Sequence, residues 1–270
     1  MTRPHIITFT SFKGGVGKTT TAMEFTEILN RHGRKSLAID LDGQRSLSLV
    51  CGALWEGEPQ ADKTVAAVFD GDQPKKFKDV ITPTKYYGDI VCGHQVMFNA
   101  NASLTAEQAI ESLKQAMEGL DNYEFVIFDT PPALSVLTLA TMCLADYVII
   151  PVHADVYSLQ SIHHTYDALR RIKAAQNPTV KCSGVLFTEI TNRLLISRNM
   201  IGTMIEHCDI LHIPVFNARI RRCCYVMECA AALMTLHELA PTCTSALDYE
   251  DAVREFLERE GLGSYDNEEI

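Results

Sequence analysis

The chain has 270 residues, 47% of them apolar, with a formal net charge of −10 and nine cysteines. That length is enough for one large α/β domain, and no apolar run reaches the ~18 residues that a membrane helix needs. The acidic total argues against a uniformly basic nucleic-acid binder, and cysteines without a C-x-x-C pair argue against a zinc site and for reduced thiols in a cytoplasm.

Residues 5–10 read as a short buried strand, and Ala22, Phe25, Ile28 and Leu29 recur at helical spacing. Between them lies Ser-Phe-Lys-Gly-Gly-Val-Gly-Lys-Thr-Thr-Thr, residues 11–21. Glycines there let backbone N–H groups converge on an anion, and the following helix adds its unpaired N–H groups and positive dipole end. Lys18 is placed to reach β/γ-phosphates, and the Thr19 hydroxyl to ligate Mg²⁺. The bland alternative is a glycine-rich turn that binds nothing; two lysines and a strand–loop–helix context weigh against it. Phe12 stands where the common phosphate-loop pattern has glycine.

Further strands are predicted at 36–40, 89–92, 124–129, 146–151, 183–188 and near 213–216, and helices at 105–120, 158–175, 197–207, 225–239 and 248–259. Thr105 and Gln108 form a candidate capping box. The strand at 36–40 runs into Asp40 and Asp42, and 124–129 ends in Asp129 before Thr-Pro-Pro; carboxylates at strand ends also cap ordinary turns. Residues 52–88, with three prolines and mixed charge, predict loops and short helices. The expected fold is α/β, a mostly parallel, doubly wound sheet with helices on both faces, built as a P-loop NTPase. One domain is expected over 1–260, with an acidic, mobile tail at 261–270. Cys143 and Cys182 read as core filler, and the adjacent Cys223 and Cys224 suit neither zinc nor a relaxed disulfide.

Lys-Gly-Gly-Val-Gly-Lys-Thr-Thr resembles the deviant Walker A loop of the ParA/MinD superfamily of dimeric ATPases. Asp40-Leu41-Asp42-Gly43-Gln44 resembles its D-x-D-P-Q motif, with Gly43 in place of the usual proline, and Phe128-Asp129-Thr130-Pro131-Pro132 resembles its Walker B and switch II. Arg219-Ile220-Arg221-Arg222 resembles an Ile-x-Arg segment, so the likeness runs from about residue 5 to about 240. The resemblance implies a nucleotide cradle of Lys13, Gly14, Gly15, Val16, Gly17, Lys18, Thr19 and Thr20. It makes Lys13, Lys18 and Asp42 the catalytic set, with Lys13 crossing to the partner's nucleotide, and gives Mg²⁺ to Thr19, Asp40 and Asp129. Adenine contacts are expected after the strands near 188 and 214, from Thr188, Pro214 and Asn217.

The implied function is that of an ATP- and Mg²⁺-dependent partition ATPase, slow on its own and stimulated by a cargo-bound partner protein. As an ATP-dependent homodimer it would hold non-specific DNA and segregate a plasmid, chromosome region or other cargo, nucleoid-associated in the cytoplasm. DNA-binding candidates are Arg193, Arg198, Arg219, Arg221 and Arg222; the bland reading leaves them solvated or paired with carboxylates. Nine carboxylates against two arginines beyond residue 247 carry −7 of the −10, which leaves room for a local basic patch. A MinD-like protein that works without DNA or on a membrane is the alternative, but the C-terminal helix is acidic rather than basic. An iron–sulfur reductase lacks its cysteines here, and a dethiobiotin-synthetase-like ligase needs neither Lys13 nor the Ile-x-Arg segment. A nucleotide-gated binding module with negligible turnover is the non-enzymatic reading. With ten residues before the loop, no helix-turn-helix domain is expected.

Overall fold

A computed structural model describes residues 3–53, 59–85, 88–132, 135–191 and 195–265. In chain order, β1 (His5–Phe9), α1 (Lys18–Arg31), β2 (Ser36–Asp40) and α2 (Ser46–Val50) open the fold. Next come β3 (Ile81–Pro83), β4 (Asp89–Val91), α3 (Ala100–Ser103), α4 (Ala106–Ala116), β5 (Phe125–Asp129) and α5 (Val136–Leu144). The chain continues through β6 (Tyr147–Val152), α6 (Val156–Ala175), β7 (Lys181–Ile190) and α7 (Leu195–Ile210). It closes with β8 (Val215–Arg221), α8 (Tyr225–Ala232), α9 (Leu236–Leu239) and α10 (Thr244–Glu260).

The strands form one sheet in the order β3-β4-β2-β5-β1-β6-β7-β8. Every pairing is parallel except β3 with β4 at one edge. β2, β5 and β6 are buried along their whole length, as strands covered on both faces must be. One face packs on α1 and α10 through Phe25, Leu29, Tyr249 and Phe256, and the other on α4 to α7 through Leu113, Leu137, Ile162 and Met204. The doubly wound expectation therefore holds.

Several boundaries move. The capping box of α4 forms, the Gln108 N–H donating to the Thr105 hydroxyl and the Thr105 N–H to the Gln108 side chain. The single helix expected over 225–239 is two, because Leu233 takes a left-handed φ of 54° and ends α8. α5 was hidden in a run too uniformly apolar to show helical period, and β3 is an antiparallel edge strand inside the stretch expected to hold only loops and short helices. The tail expected at 261–270 is docked over its described part. Tyr265 stacks on His32 at 3.7 Å between ring centroids and donates to the Glu250 carbonyl at 3.1 Å, and the Leu262 carbonyl accepts from Arg34. Residues 266–270 lie outside the described residues.

α1 carries two buried carboxyls, Glu24 and Glu27, each with one oxygen lacking a hydrogen-bond partner among the described residues. Burial pushes Glu27 up to about 7, against the pull of Arg31. Burial, and then Glu27, raise Glu24 further. A carboxyl that holds its proton more tightly when folded stabilises the fold below its unfolded pKa and loses that contribution as pH rises through the folded one. Stability should therefore fall between about pH 4.5 and 7 on account of Glu27. Urea unfolding should show Glu27→Gln equal to wild type at pH 4 and more stable by about 1–3 kcal/mol at pH 8.

Candidate nucleotide site

Parallel strands deliver their carboxyl ends to one edge of the sheet. Phe9 pairs with Asp129 across β1 and β5, and Asp40 pairs with the same Asp129 across β2 and β5. The loops after β1, β2 and β5 thus rise side by side. The first is the glycine loop, and it turns through Gly15 (φ 68°) and Gly17 (φ 79°), a left-handed pair that side chains with a Cβ adopt only under strain. Gly17 then caps α1 without a side chain, leaving the first N–H groups of the helix open toward the loop. Phe12 occupies the position of the usual glycine because its ring leans on His164 of α6, at 5.8 Å.

Lys18 is almost fully buried and its ammonium donates to the Lys13 carbonyl at 3.3 Å. Burial lowers its pKa, opposed by Asp129 and Asp42. Asp129 is fully buried, and neither oxygen accepts a well-formed hydrogen bond among the described residues. Burial, with Asp40 adding repulsion, pushes its carboxyl up to about 8, while the Thr19 hydroxyl and Lys18 pull it down. Asp40 is equally buried but engaged. One oxygen accepts the Asp42 N–H at 3.1 Å, and the other accepts the Ser48 N–H at 2.9 Å and hydroxyl at 2.6 Å. Burial raises Asp40 to about 6, less than Asp129, because these donors favour its charge. Asp40 anchors the loop that carries Asp42, so the carboxylate left open for a cation is Asp129. Asp42 accepts the Gln44 N–H at 2.9 Å and lines, with Gly15, Lys18, Thr19 and Thr130, a cavity of about 390 Å³ above the glycine loop. Gly93 packs so close behind that a Cβ there would lie 2.9 Å from the Asp40 carboxyl carbon. Gly43 replaces proline for a similar reason, since the Phe98 ring would sit 2.7 Å from its Cβ.

Other expected site residues fall elsewhere. Lys13 is in an ion pair with Asp155 of its own chain, the residue whose side chain caps α6. The Thr188 hydroxyl lies 2.9 Å from the Val16 carbonyl and 3.1 Å from that of Val152, which makes it a latch on the glycine loop. Pro214 and Asn217 are corrected as adenine contacts. The Pro214 carbonyl accepts from Val185, three residues short of Thr188 along β7, and Asn217 is exposed and bonded to Glu255. A second cavity, of about 130 Å³, instead opens beside Gly17 and Thr20, walled by Ile220, Arg222, Cys223 and Met227. Glu189, at a left-handed φ of 51°, lines both cavities; only its strand-end position hinted at this in the sequence.

Among the arginines, Arg219 and Arg221 lie within β8, where the sequence placed them beyond a strand end. Arg221 holds Asp248 of α10 at 2.6 Å and is corrected from the DNA-facing set. Arg219 and Arg222 are exposed. Arg193 lies outside the described residues, and Arg198 is on α7 with its side chain outside them.

The family model AAA_31, an AAA domain, matches residues 4–182, more than half of the chain. The glycine loop, with a lysine at each end and two carboxylate loops beside it, lies inside that match. The chain belongs to the ParA-type deviant Walker A ATPases. An uncharacterised Mycobacterium tuberculosis protein is 30% identical over 261 residues, 95% of this chain and 80% of that one. The chromosome-partitioning ATPase Soj of Thermus thermophilus is 27% identical over 92% of this chain and 93% of its own. Among solved structures, the ATP complex of McdA(D38A) from Cyanothece is 20% identical with a TM-score of 0.83, covering 99% of this chain and 100% of its own. As in other ParA-type chains, the working class is that of a partition or positioning ATPase. No helix among the described residues is long and apolar enough to cross a membrane.

The Thr188 latch is testable. Thr188→Val keeps the shape and leaves the Val16 carbonyl unpaired, so it should cost about 1–2 kcal/mol of stability in denaturant unfolding. Amide hydrogen exchange at Gly14–Gly17 should quicken in the same variant.

Proposed function

We propose that this chain binds Mg-ATP in the cavity above its glycine loop, pairs with a second copy across that cavity, and hydrolyses ATP slowly to position cargo on non-specific DNA. The observation that carries the reading is Asp129, a buried carboxylate with no hydrogen-bond partner among the described residues, next to the Thr19 hydroxyl and the Lys18 ammonium. An oxygen donor pair of this kind fits a hard divalent cation, and no group of three or more His, Cys, Asp or Glu among the described residues forms an all-protein cage. Thr19 and Asp129 would hold Mg²⁺, directly or through water, with phosphate oxygens completing its shell. When bound, the ion neutralises charge on the β/γ-phosphates and fixes their orientation. Relatives with bound nucleotide support the choice of ligand: a cobyrinic acid a,c-diamide synthase from Mycobacterium smegmatis, 26% identical over 88% of this chain and 96% of its own (TM-score 0.72), was solved with an ATP analogue and magnesium.

The chain's own residues divide the work. Backbone N–H groups from Gly14 to Thr20 cradle the phosphates, and Lys18 balances them in a water-poor cleft. Asp42, held by Asp40 through the loop backbone, orients the attacking water and accepts its proton. Lys13 leaves Asp155 and reaches the partner's phosphates. Arg219 and Arg222 meet DNA phosphates in a salt-sensitive, sequence-independent way, and a cargo-bound protein stimulates hydrolysis.

A second reading, positioning without DNA, is favoured by the loss of Arg221 to Asp248 and by the −10 total charge. The membrane version finds no support in α10, whose Val253, Phe256 and Leu257 are fully buried against the chain's own sheet.

Four variants test the proposal. Asp42→Ala should keep ATP binding in calorimetry, lose phosphate release, and accumulate as an ATP-bound dimer in light scattering; unchanged turnover would overturn its role. Lys13→Ala should bind nucleotide and remain monomeric with ATP. Arg222→Glu should weaken ATP-dependent binding to random-sequence DNA, with the slope of log K against log salt reduced by roughly 0.9 per lost contact. Arg221→Ala, which leaves Asp248 only the backbone N–H of residue 221, should instead cost about 1 kcal/mol of folding stability. Absence of salt-sensitive DNA binding by the ATP-bound wild type would leave the second reading.

A further inference from the structure

Glu189 is the penultimate residue of β7, and the strand bulges there. From Phe187 to Ile190 the chain takes three steps along β7, while its partner β8 takes two, from Arg219 to Arg221. A bulge of this kind re-aims one side chain. Glu189 takes a left-handed φ of 51°, which side chains other than asparagine and aspartate seldom adopt. Thr188 and Ile190 on either side are buried, and Glu189 is exposed. Backbone strain held at a strand end calls for a use of the side chain it presents.

The bulge aims Glu189 at a junction. Among the described residues, the cavity of about 390 Å³ over the glycine loop and the cavity of about 130 Å³ beside it share Gly17, Thr20 and Glu189. Glu189 is the one charged side chain of those three. The larger cavity holds Lys18 and Thr19; the smaller has apolar walls at Ile220, Val226 and Met227. The span across the junction is fixed. The Thr188 hydroxyl donates to the Val16 carbonyl at 2.9 Å, and a Cβ on Gly17 would lie 3.7 Å from that of Thr188. The His153 Nε2 lies 3.8 Å from the Glu189 Oε1, beyond hydrogen-bond reach, so this neighbour does not occupy the carboxylate.

An ionised carboxylate only accepts hydrogen bonds, and a polyphosphate repels it. The donors that a nucleotide can offer it are the ribose hydroxyls and an exocyclic amine of the base. With its phosphates on the glycine loop and its base against the apolar walls, a nucleotide has its ribose at the junction. We propose that Glu189 is the residue that selects for ribose, accepting a hydrogen bond from the 2′- or 3′-hydroxyl, so that the site takes ribonucleoside and not deoxyribonucleoside triphosphates. The inference rests on the proposed ATP site and adds a specificity to it. Dinucleotide-binding folds hold ribose with the same chemistry, a carboxylate on a sugar hydroxyl. Selection follows because an analogue that lacks the hydroxyl leaves the carboxylate facing the ligand without a donor.

Calorimetry on the full chain with Mg²⁺ tests this, comparing ATP, 2′-deoxy-ATP, 3′-deoxy-ATP and ITP. Wild type should bind one or both deoxy analogues at least about tenfold more weakly than ATP. In Glu189→Ala that ratio should shrink to about twofold or less, through weaker ATP binding, while the ratio of ATP to ITP stays as in wild type. Glu189→Gln keeps the shape with a neutral acceptor; it should fall between the two, and it carries the test if the alanine variant does not fold. Wild type binding both deoxy analogues as tightly as ATP would overturn the assignment, as would a Glu189→Ala that weakens every nucleotide equally. Loss of the ATP-to-ITP ratio in place of the ribose ratio would move Glu189 to the base and overturn it too. Wild type that binds none of the four would instead overturn the ATP reading, and the ribose assignment with it.

Discussion

The constraint on which the site depends is the burial of two carboxylates on neighbouring strands. Asp40 and Asp129 are in register across β2 and β5, both fully buried. Burial raises both carboxyls, and Asp40 lifts Asp129 further by repulsion in so poor a solvent. The chain answers the problem unequally. Asp40 receives donors from Asp42 and Ser48, and its charge becomes the pin of a loop. Asp129 receives no such set, and Lys18 and Thr19 are the groups turned toward it. That imbalance leaves Asp129 as the candidate carboxylate for a cation.

The same economy governs the departures from the common phosphate-loop pattern. Phe12 is tolerated because α6 offers His164 to pack on, and α6 also supplies Asp155 for Lys13. The helix that follows β6 is thus tied to the glycine loop at two consecutive residues. Gly43 answers a steric demand from Phe98, just as Gly93 answers one from Asp40. In each case the residue type follows from what the neighbouring loop puts within van der Waals distance.

Much of the chain's negative charge is structural. α10 spends Asp248 on Arg221 and Glu255 on the β8 backbone at Asn217 and Ala218, as well as on Arg259. Arg259 in turn caps the carbonyls of Ser183 and Val215. These contacts bind the last helix to the far edge of the sheet.

The residues of the glycine loop, Asp42 and Asp129 were legible because phosphate chemistry demands short, local motifs: the loop's geometry is set by its own glycines and the two strands around it. The parallel sheet was legible for the same reason, as continuous apolar runs such as Phe125–Phe128 have no other home than a sheet covered on both faces. What the sequence by itself determined is the fold class, the glycine loop between β1 and α1 and the pair of acidic strand ends. What only the tertiary structure decided is which groups meet across distant segments. Arg221 found Asp248, Thr188 found the Val16 carbonyl, and Asn217 was drawn to Glu255. Each of these depends on strand register and on where α10 lies against β8. Long-range packing fixes both, and no local spacing of residues encodes either.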